Sequence, residues 1–284
     1  MIVPLSALHA LGHALFTAVG ARTRTLTSGA RRVKIYDKQG SGQGPALVLV
    51  HGLGGNAYSF AALVQAAALL GKRVIVPDLP GHGRSSLRKG EAPLKLPELA
   101  DSLLAVLDDL GEPAVVVGNS LGGALGLHAL LERPAQVLGW VGLAPAGAPL
   151  TADDRNHLRR AFSGGMPAAR ELQRKLWHKV PKVAWLVLRD FARYWKLPEV
   201  QPLVAEVLSS EVELGLSRLR NAGRPALVLW GESDTLLPRS SVEWFRGHLG
   251  PGGVELVPRC GHLPQMERPK LVARRLAQFL AEKL

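Results

Sequence analysis

The amino-acid sequence predicts an α/β fold, a mostly parallel, doubly wound sheet with helices on both faces and an inserted helical cap. Short apolar runs rich in β-branched residues alternate with segments of helical periodicity along most of the chain. One long stretch, residues 146–221, interrupts this alternation without a convincing strand. The composition agrees, because 284 residues with 47% hydrophobic and 20% charged side chains are typical of a folded chain with a sizeable core.

Residues 1–25 are predicted to form an amphipathic helix. Its apolar stripe consists of Leu5, Leu8, Leu11, Leu15 and Val19. Positive charge follows the apolar stretch, which disfavours a secretory signal, and the stretch is too polar on one side to span a membrane. We favour a helix packed on the body, with peripheral membrane contact through this segment as the alternative. His9 and His13 have the spacing of a metal-binding pair, but no third ligand is suggested, so no metal site is predicted.

The core of the fold is predicted over residues 26–145 and 222–284. Its strands are expected at 33–36 (an edge strand), 45–50, 73–77, 115–117, 137–143, 226–230 and 254–257. Its helices are expected at 58–70, 96–110, 121–132, 240–249 and 269–284. Buried strands that alternate with helices form a parallel sheet, and such sheets bind ligands at the carboxyl ends of their strands.

A serine follows the strand at 115–117 in the pattern Gly-x-Ser-x-Gly, which Gly118, Ser120 and Gly122 provide. A serine at a sharp turn between strand and helix is held in a strained conformation with its hydroxyl clear of the sheet. The two glycines remove the Cβ atoms that would collide where the arms of the turn meet. Because the helix begins at once, the Leu121 amide and the positive end of the helix dipole face the serine oxygen. The pattern predicts a nucleophile beside a site for developing negative charge.

Residues 146–221 are predicted to form the helical cap. They contain thirteen Lys or Arg and eight Asp or Glu, a net charge of +5, and three tryptophans, Trp177, Trp185 and Trp195. An insertion after the strand that follows the serine turn lies over the carboxyl ends of the strands. The prediction is a lid whose apolar faces line an acyl pocket.

The net charge of +12 leaves the type of partner open. The basic residues are scattered and neither a zinc-ligand spacing nor an RNA-binding signature is present, so no nucleic-acid partner is predicted. Attraction to anionic substrates, attraction to an anionic membrane surface and a well-solvated surface all remain compatible with the charge. Cys260 is the only cysteine, which excludes an internal disulfide, and we expect a cytoplasmic protein in which this residue fills space beside a turn.

Five motifs occur in an order typical of one family. They are His-Gly-Leu-Gly-Gly at 51–55, Asp-Leu-Pro-Gly-His-Gly-Arg-Ser at 78–85, Gly-Asn-Ser-Leu-Gly-Gly at 118–123, Gly-Glu-Ser-Asp-Thr-Leu-Leu-Pro at 231–238 and Gly-His-Leu-Pro-Gln-Met-Glu at 261–267. In these motifs the chain resembles the α/β-hydrolases over about residues 30–284, with a helical cap inserted after the sixth strand.

The resemblance and the chemistry of acyl transfer together imply a catalytic triad. Ser120 is expected to be the nucleophile, His262 the base that takes its proton, and Asp234 the acid that orients the base. Their order along the chain is the order of the family. Glu232, two residues before Asp234, is kept as the alternative acid.

The resemblance also implies the surroundings of the triad. The backbone amides of Leu53 and Leu121 are expected to form an oxyanion hole. Residues 78–85 are expected to brace the site. The candidate substrate-binding residues are His51, Asn119, Trp177, Trp185 and Trp195.

In this family an aspartate at the turn would suggest haloalkane or epoxide chemistry. Ser120 argues against both and points to acyl transfer. The leading hypothesis is hydrolysis of a small-molecule carboxylic ester through an acyl-enzyme, with no cofactor. Hydrolysis of a carbon–carbon bond in vinylogous diketones is the alternative, although Asn56 and Leu263 depart from that group. Perhydrolysis by the same triad and a non-catalytic binding protein of this fold are the remaining hypotheses.

Overall fold

The computed structural model describes residues 5–87, 90–186, 188–209 and 223–284. Residues 1–4 of the predicted N-terminal helix, together with residue 187 and residues 210–221 of the predicted cap, lie outside the described residues. The same holds for the side chains of residues 5–9 and 11, which include that of His9.

Eight strands of the described residues form one sheet, in the order β1-β2-β4-β3-β5-β6-β7-β8. The strands are β1 (Arg22–Ser28), β2 (Arg31–Gln39), β3 (Ala46–Val50), β4 (Arg73–Asp78), β5 (Ala114–Asn119), β6 (Val137–Leu143), β7 (Ala226–Gly231) and β8 (Val254–Val257). β2 pairs antiparallel with β1 and with β4, and the other neighbours are parallel. The prediction of a mostly parallel sheet is confirmed.

The prediction of an edge strand at 33–36 is wrong. This segment belongs to β2, which lies between β1 and β4. β1 lies outside the predicted strands, and its first residues fall in the segment expected to be helical. Its threonines favour extended backbone, and Leu26 pairs with Val33, so β1 covers the edge that β2 would otherwise expose.

Helices lie on both faces of the sheet, as predicted. They are α1 (Leu5–Ala18), α2 (Ala61–Leu70), α3 (Leu96–Leu110), α4 (Leu121–Glu132), α5 (Ala152–Ala161), α6 (Gly165–Leu176), α7 (Lys182–Leu186), α8 (Leu188–Tyr194), α9 (Gln201–Ser209), α10 (Arg239–Leu249), α11 (Pro264–Glu267) and α12 (Pro269–Lys283). Side chains alternate along β5, so Val116 packs with α3, α4 and α10 on one face. Val115 and Val117 pack with α1, α2 and α12 on the other face.

Helix α1 is shorter than the expected segment and buries a different side chain. Phe16, which is outside the predicted stripe, is 1% exposed and lies against Tyr36 with 4.6 Å between ring centroids. Leu15, which is in the stripe, is 50% exposed. The described part of α1 therefore contacts the body through Phe16, through Gly12, which lies against the Tyr58 ring, and through His13, whose ring centroid is 5.9 Å from that of Tyr36. No helix among the described residues has both the length and the apolar character needed to cross a membrane.

The segment between β6 and β7 contains α5 to α9, which we call the cap helices. Their apolar side chains form a cluster of their own that includes Leu158, Phe162 and Trp195. The cluster also takes in Leu236 from the loop after β7, and Leu53 from the loop after β3 packs against it. The cap helices are thus joined through apolar contacts to the loops at the carboxyl ends of the strands.

The parallel strands bring the five motifs to one edge of the sheet, and the motif at 78–85 belongs to this edge because β4 ends at Asp78 and is parallel to β3. β3, β5, β7 and β8 end at Val50, Asn119, Gly231 and Val257. The segments that follow these ends carry residues 51–55, Ser120, Asp234 and His262. Residues far apart in the sequence therefore meet above the sheet.

Candidate active site

Ser120 occupies a tight turn between β5 and α4. Its φ of 51° lies in the left-handed region, which a residue with a Cβ rarely adopts. A Cβ added to Gly118 would stand 2.1 Å from the carbonyl oxygen of Gly122, and one added to Gly122 would stand 2.3 Å from that of Val50. Both glycines are therefore required by backbone approaches. The Leu121 amide lies at the start of α4, where a helix leaves its N–H groups without internal partners.

The structure brings His262 and Asp234 together. The Nδ1–H of His262 donates to Oδ2 of Asp234 over 2.8 Å, and both side chains are buried. Oδ1 of Asp234 accepts from the amides of Leu236 and Leu237 over 2.9 and 3.3 Å. With the proton on Nδ1, Nε2 of the neutral ring has a free lone pair, and this buried atom has no partner among the described residues. Of the two candidate acids, Asp234 is the one that hydrogen-bonds His262, and Glu232 is exposed.

Asn119 holds the backbone of His262. Its side-chain Nδ2 donates to the carbonyl of His262 over 3.0 Å and to the carbonyl of Leu143 over 2.8 Å. The His262 amide donates in turn to the carbonyl of Leu176, at the end of α6, over 2.8 Å. Asn119 therefore links the serine turn to the histidine loop and uses both of its side-chain N–H groups to do so.

Glu267 joins the histidine loop to the cap, a role that the sequence alone does not reveal. Its Oε1 accepts from the amide of Gly261 over 2.7 Å, and its Oε2 accepts from the amide of His178 over 2.9 Å. The His178 side chain also hydrogen-bonds Ser233 Oγ over 2.7 Å. The only sequence signal for Glu267 is its position at the end of the Gly-His-Leu-Pro-Gln-Met-Glu motif.

The loop after β3 lies under a cap side chain. Gly54 has a φ of +69°, and a Cβ added there would stand 2.4 Å from Cζ2 of Trp195. Trp195 is 1% exposed. The Nδ1–H of His51 donates to the carbonyl of Gly52 over 2.8 Å, and its Nε2 accepts from the amide of Leu79 over 3.0 Å. Both ring nitrogens are therefore used in shaping the loop.

Residues 78–85 brace this loop. The carboxylate of Asp78 accepts from the amide of Ala57 over 2.7 Å and from that of Arg84 over 2.8 Å. The hydroxyl of Ser85 donates to the carbonyl of Asp78, and the Nδ1–H of His82 donates to that of Pro80, each over 2.8 Å. Burial raises the pKa of Asp78 to about 6.

Acidification is expected to destabilise the fold through His51 and His82. Burial lowers the pKa of His51 to about 3 and that of His82 to about 4, against about 6.5 in an unfolded chain. The unfolded chain therefore binds these protons first, and the free energy of unfolding falls as the pH falls from about 6.5 through the folded-state values. Each unit of pH then costs up to about 1.4 kcal/mol per histidine.

Urea unfolding of His82→Gln at several pH values checks this expectation. Glutamine does not titrate. Between about pH 6.5 and 4 the slope of the unfolding free energy against pH should therefore fall by up to about 1.4 kcal/mol per pH unit, which corresponds to one proton per molecule. Asp78 acts in the opposite direction in this range and is present in both proteins, so it cancels from the comparison. An unchanged slope would contradict the lowered pKa, because it would show that His82 binds its proton equally well in the folded and unfolded chains.

Ser120 opens into a cavity of 720 Å³ between the sheet edge and the cap helices. Leu53 and Leu121, whose amides are the predicted oxyanion donors, line the cavity with it. The apolar part of the wall also includes Leu125, Leu158, Phe162, Val207, Leu236 and Leu237. The wall carries charge as well, from Asp101, Arg155 and Glu206.

None of the five predicted substrate-binding side chains is among the described residues of the cavity wall. His51 and Asn119 hold backbone groups, as described above. Trp177 donates from Nε1 to Gln173 Oε1 over 2.9 Å, and Trp185 lies 40% exposed on the outer surface. Trp195 packs on Gly54. The residues that do line the cavity come from four helices (α3, α4, α5 and α9), from the loops after β3, β6 and β7 and from the Ser120 turn, and most of them lie outside the five motifs.

A family model described as the alpha/beta hydrolase family matches residues 47–275. A curated relative, the dihydrolipoyllysine-residue acetyltransferase component of the acetoin cleaving system of Pseudomonas putida, is 30% identical over 93% of this chain and 70% of its own length. The pimeloyl-[acyl-carrier protein] methyl ester esterase of Nitrosospira multiformis is 26% identical over 84% of this chain and 95% of its own.

Among solved structures, a putative lipase from Acinetobacter baumannii AYE superposes with a TM-score of 0.80. The superposition covers 99% of this chain and 97% of the lipase at 20% sequence identity. At that identity the likeness concerns the fold.

Proposed function

The chain belongs to the alpha/beta hydrolase family, and from this membership we propose that it is a serine hydrolase that cleaves carboxylic esters. The observation that carries the proposal is the 2.8 Å bond between His262 and Asp234, at the same end of the sheet as Ser120 in its strained turn. The esterase from Nitrosospira multiformis, similar over most of both chains, supports an ester as the substrate.

In the proposed reaction the Ser120 hydroxyl attacks the ester carbonyl carbon while Nε2 of His262 takes its proton. Asp234 stabilises the imidazolium that forms. The carbonyl oxygen becomes negative in the tetrahedral intermediate and accepts hydrogen bonds from the amides of Leu53 and Leu121, each worth about 3 kcal/mol of the barrier.

The intermediate then breaks the carbon–oxygen bond to the alcohol, which leaves with the proton from His262. The product is an acyl group on Ser120. Water attacks this acyl-enzyme with His262 again as the base, and the carboxylic acid is released. The apolar cavity wall beside Ser120 suits the acyl chain.

Hydrolysis of a carbon–carbon bond is the second candidate. Arg155 in the cavity wall favours it, because the guanidinium could bind the carboxylate of a vinylogous diketone acid. Asp101 and Glu206 in the same wall weigh against a carboxylate at that end of the cavity.

The test is hydrolysis of p-nitrophenyl esters of increasing acyl length, combined with labelling by a fluorophosphonate and mass spectrometry of the labelled peptide. We expect a preferred chain length and a label on Ser120, with Ser120→Ala giving the background of both assays. A label on Ser120 without ester turnover would favour the carbon–carbon hydrolase. A folded protein with no label would contradict a serine hydrolase.

A further inference from the structure

The outer surface of the cap carries a cluster of exposed apolar side chains. Of the nine large hydrophobic residues that are exposed in the described part of the chain, four belong to this cluster. They are Met166 (37% exposed), Val183 (49%), Trp185 (40%) and Leu186 (41%). We call these four residues the cap patch.

The cap patch rests on a fixed support. α6 and α8 pack against each other through Ala169, Leu188 and Ala192, all of which are buried. Trp185 and Leu186, at the end of α7, border a shallow depression on this pair of helices, together with Met166. The apolar side chains are therefore presented outward by packed helices.

Positive charge surrounds the cap patch. Residues 163–197 contain eight Lys or Arg and two Asp or Glu, a net charge of +6. Both acidic residues already have basic partners on their own helices. Arg170 and Arg189 line the depression, and Lys182 lies beside Val183. These three are exposed and form no ion pair with any residue that the structure describes.

The combination of exposed apolar side chains and surrounding positive charge favours a lipid surface over a nucleic acid as the partner. A nucleic acid would neutralise the arginines and leave the apolar side chains in water, whereas the boundary between lipid headgroups and acyl chains receives both. Tryptophan is enriched at that depth because its ring is apolar and its N–H is polar. Lysine and arginine bury their stems beside it while their charged ends reach the phosphates.

We propose that the cap patch docks on an anionic phospholipid surface. Val183, Trp185 and Leu186 enter the headgroup region, and Arg170, Lys182 and Arg189 bind lipid phosphates. This contact differs from the one considered for residues 1–25. It is also independent of the proposed function, because the residues that dock lie on the outside of the cap and none of them lines the cavity.

Co-sedimentation of the full chain with sucrose-loaded vesicles tests the proposal. The vesicles contain phosphatidylcholine alone or with added phosphatidylglycerol. We expect binding to the anionic vesicles, weakened by salt, and weaker binding to the neutral ones. The variant Trp185→Ser with Leu186→Ser should bind anionic vesicles at least about tenfold less well, because two apolar side chains no longer enter the bilayer.

Matched controls distinguish binding through the cap patch from nonspecific binding through other exposed apolar or basic side chains. Leu69→Ser removes an apolar side chain that is 70% exposed on α2, and Lys270→Gln with Arg274→Gln removes two exposed charges on α12. Both should bind vesicles as the wild type does, whereas Arg170→Gln with Arg189→Gln should lose most of the anionic preference. Ester hydrolysis in solution by all variants should stay within about twofold of the wild type.

Two results would overturn the proposal. One is vesicle binding that survives both cap-patch variants, which would place the contact elsewhere on the chain. The other is failure of the wild type to bind anionic vesicles, and binding of a DNA duplex through the same arginines would then assign them to a nucleic acid.

Discussion

Asp234→Asn is expected to lower kcat for ester hydrolysis by about 10⁴-fold while the protein stays folded. The amide oxygen can still accept from Leu236 and Leu237, so the loop keeps its hydrogen bonds. Its NH₂ group then faces Nδ1 of His262, which must become an acceptor. The ring proton moves to Nε2, and that nitrogen can no longer take the proton of Ser120.

Glu232→Gln is the matched control, because it makes the same change of charge two residues away on an exposed side chain. We expect its kcat to stay within about twofold of the wild type. Circular dichroism and thermal unfolding establish that both variants are folded. A large loss of kcat in Glu232→Gln with little loss in Asp234→Asn would make Glu232 the acid of the triad in place of Asp234. Small and equal losses of kcat in both variants would contradict the triad.

Gly122→Ala is expected to destabilise the protein by about 4 kcal/mol or more, in the range reserved for severe core defects. The added methyl group would stand 2.3 Å from the carbonyl oxygen of Val50 and 2.4 Å from that of His51. Both oxygens belong to the backbone at the end of β3. The clash with the added methyl group can therefore be relieved only if α4 moves away from the sheet. For a chain of this length the melting temperature should fall by about 10 °C.

Gly247→Ala provides the comparison for Gly122→Ala, since Gly247 lies inside α10 and an added Cβ there meets no atom within 4 Å. Alanine has the higher helix propensity, so this variant should gain up to about 1 kcal/mol. Urea unfolding measures both changes. Unchanged stability of Gly122→Ala would show that α4 and β3 do not approach each other as closely as described.

The parts of the site that the sequence predicts are those encoded by short, local motifs. Ser120 follows a run of valines and precedes α4, Asp234 follows the buried strand β7, and His262 follows the short edge strand β8. In a parallel sheet the carboxyl ends of the strands lie at the same edge, so these positions are close together regardless of the segments that connect the strands. The pairing of His262 with Asp234 therefore follows from local patterns and a general rule of topology.

The parts that the sequence does not predict depend on contacts between distant segments. Asn119 lies beside Ser120, yet its partners are carbonyl groups of Leu143 and His262. Phe16 does not belong to the apolar stripe of α1, yet it is buried because its ring packs against the rings of Tyr36 and Tyr58. The apolar periodicity therefore does not by itself give the covered face of α1, since Gly12 and Phe16, four residues apart, are the buried positions that lie against the tyrosines.

The position of Trp195 on Gly54 limits how the substrate range of this chain can change under selection. New acyl preferences in a capped enzyme arise most easily from cap substitutions that leave the reacting groups undisturbed. Trp195 lies outside the cavity wall, so a smaller side chain there would withdraw support from the loop that carries Leu53 and lower the rate without enlarging the cavity. Leu158 and Val207, by contrast, line the cavity from the cap helices α5 and α9. Directed evolution toward longer or shorter acyl chains should therefore accumulate substitutions at these two positions and retain Trp195.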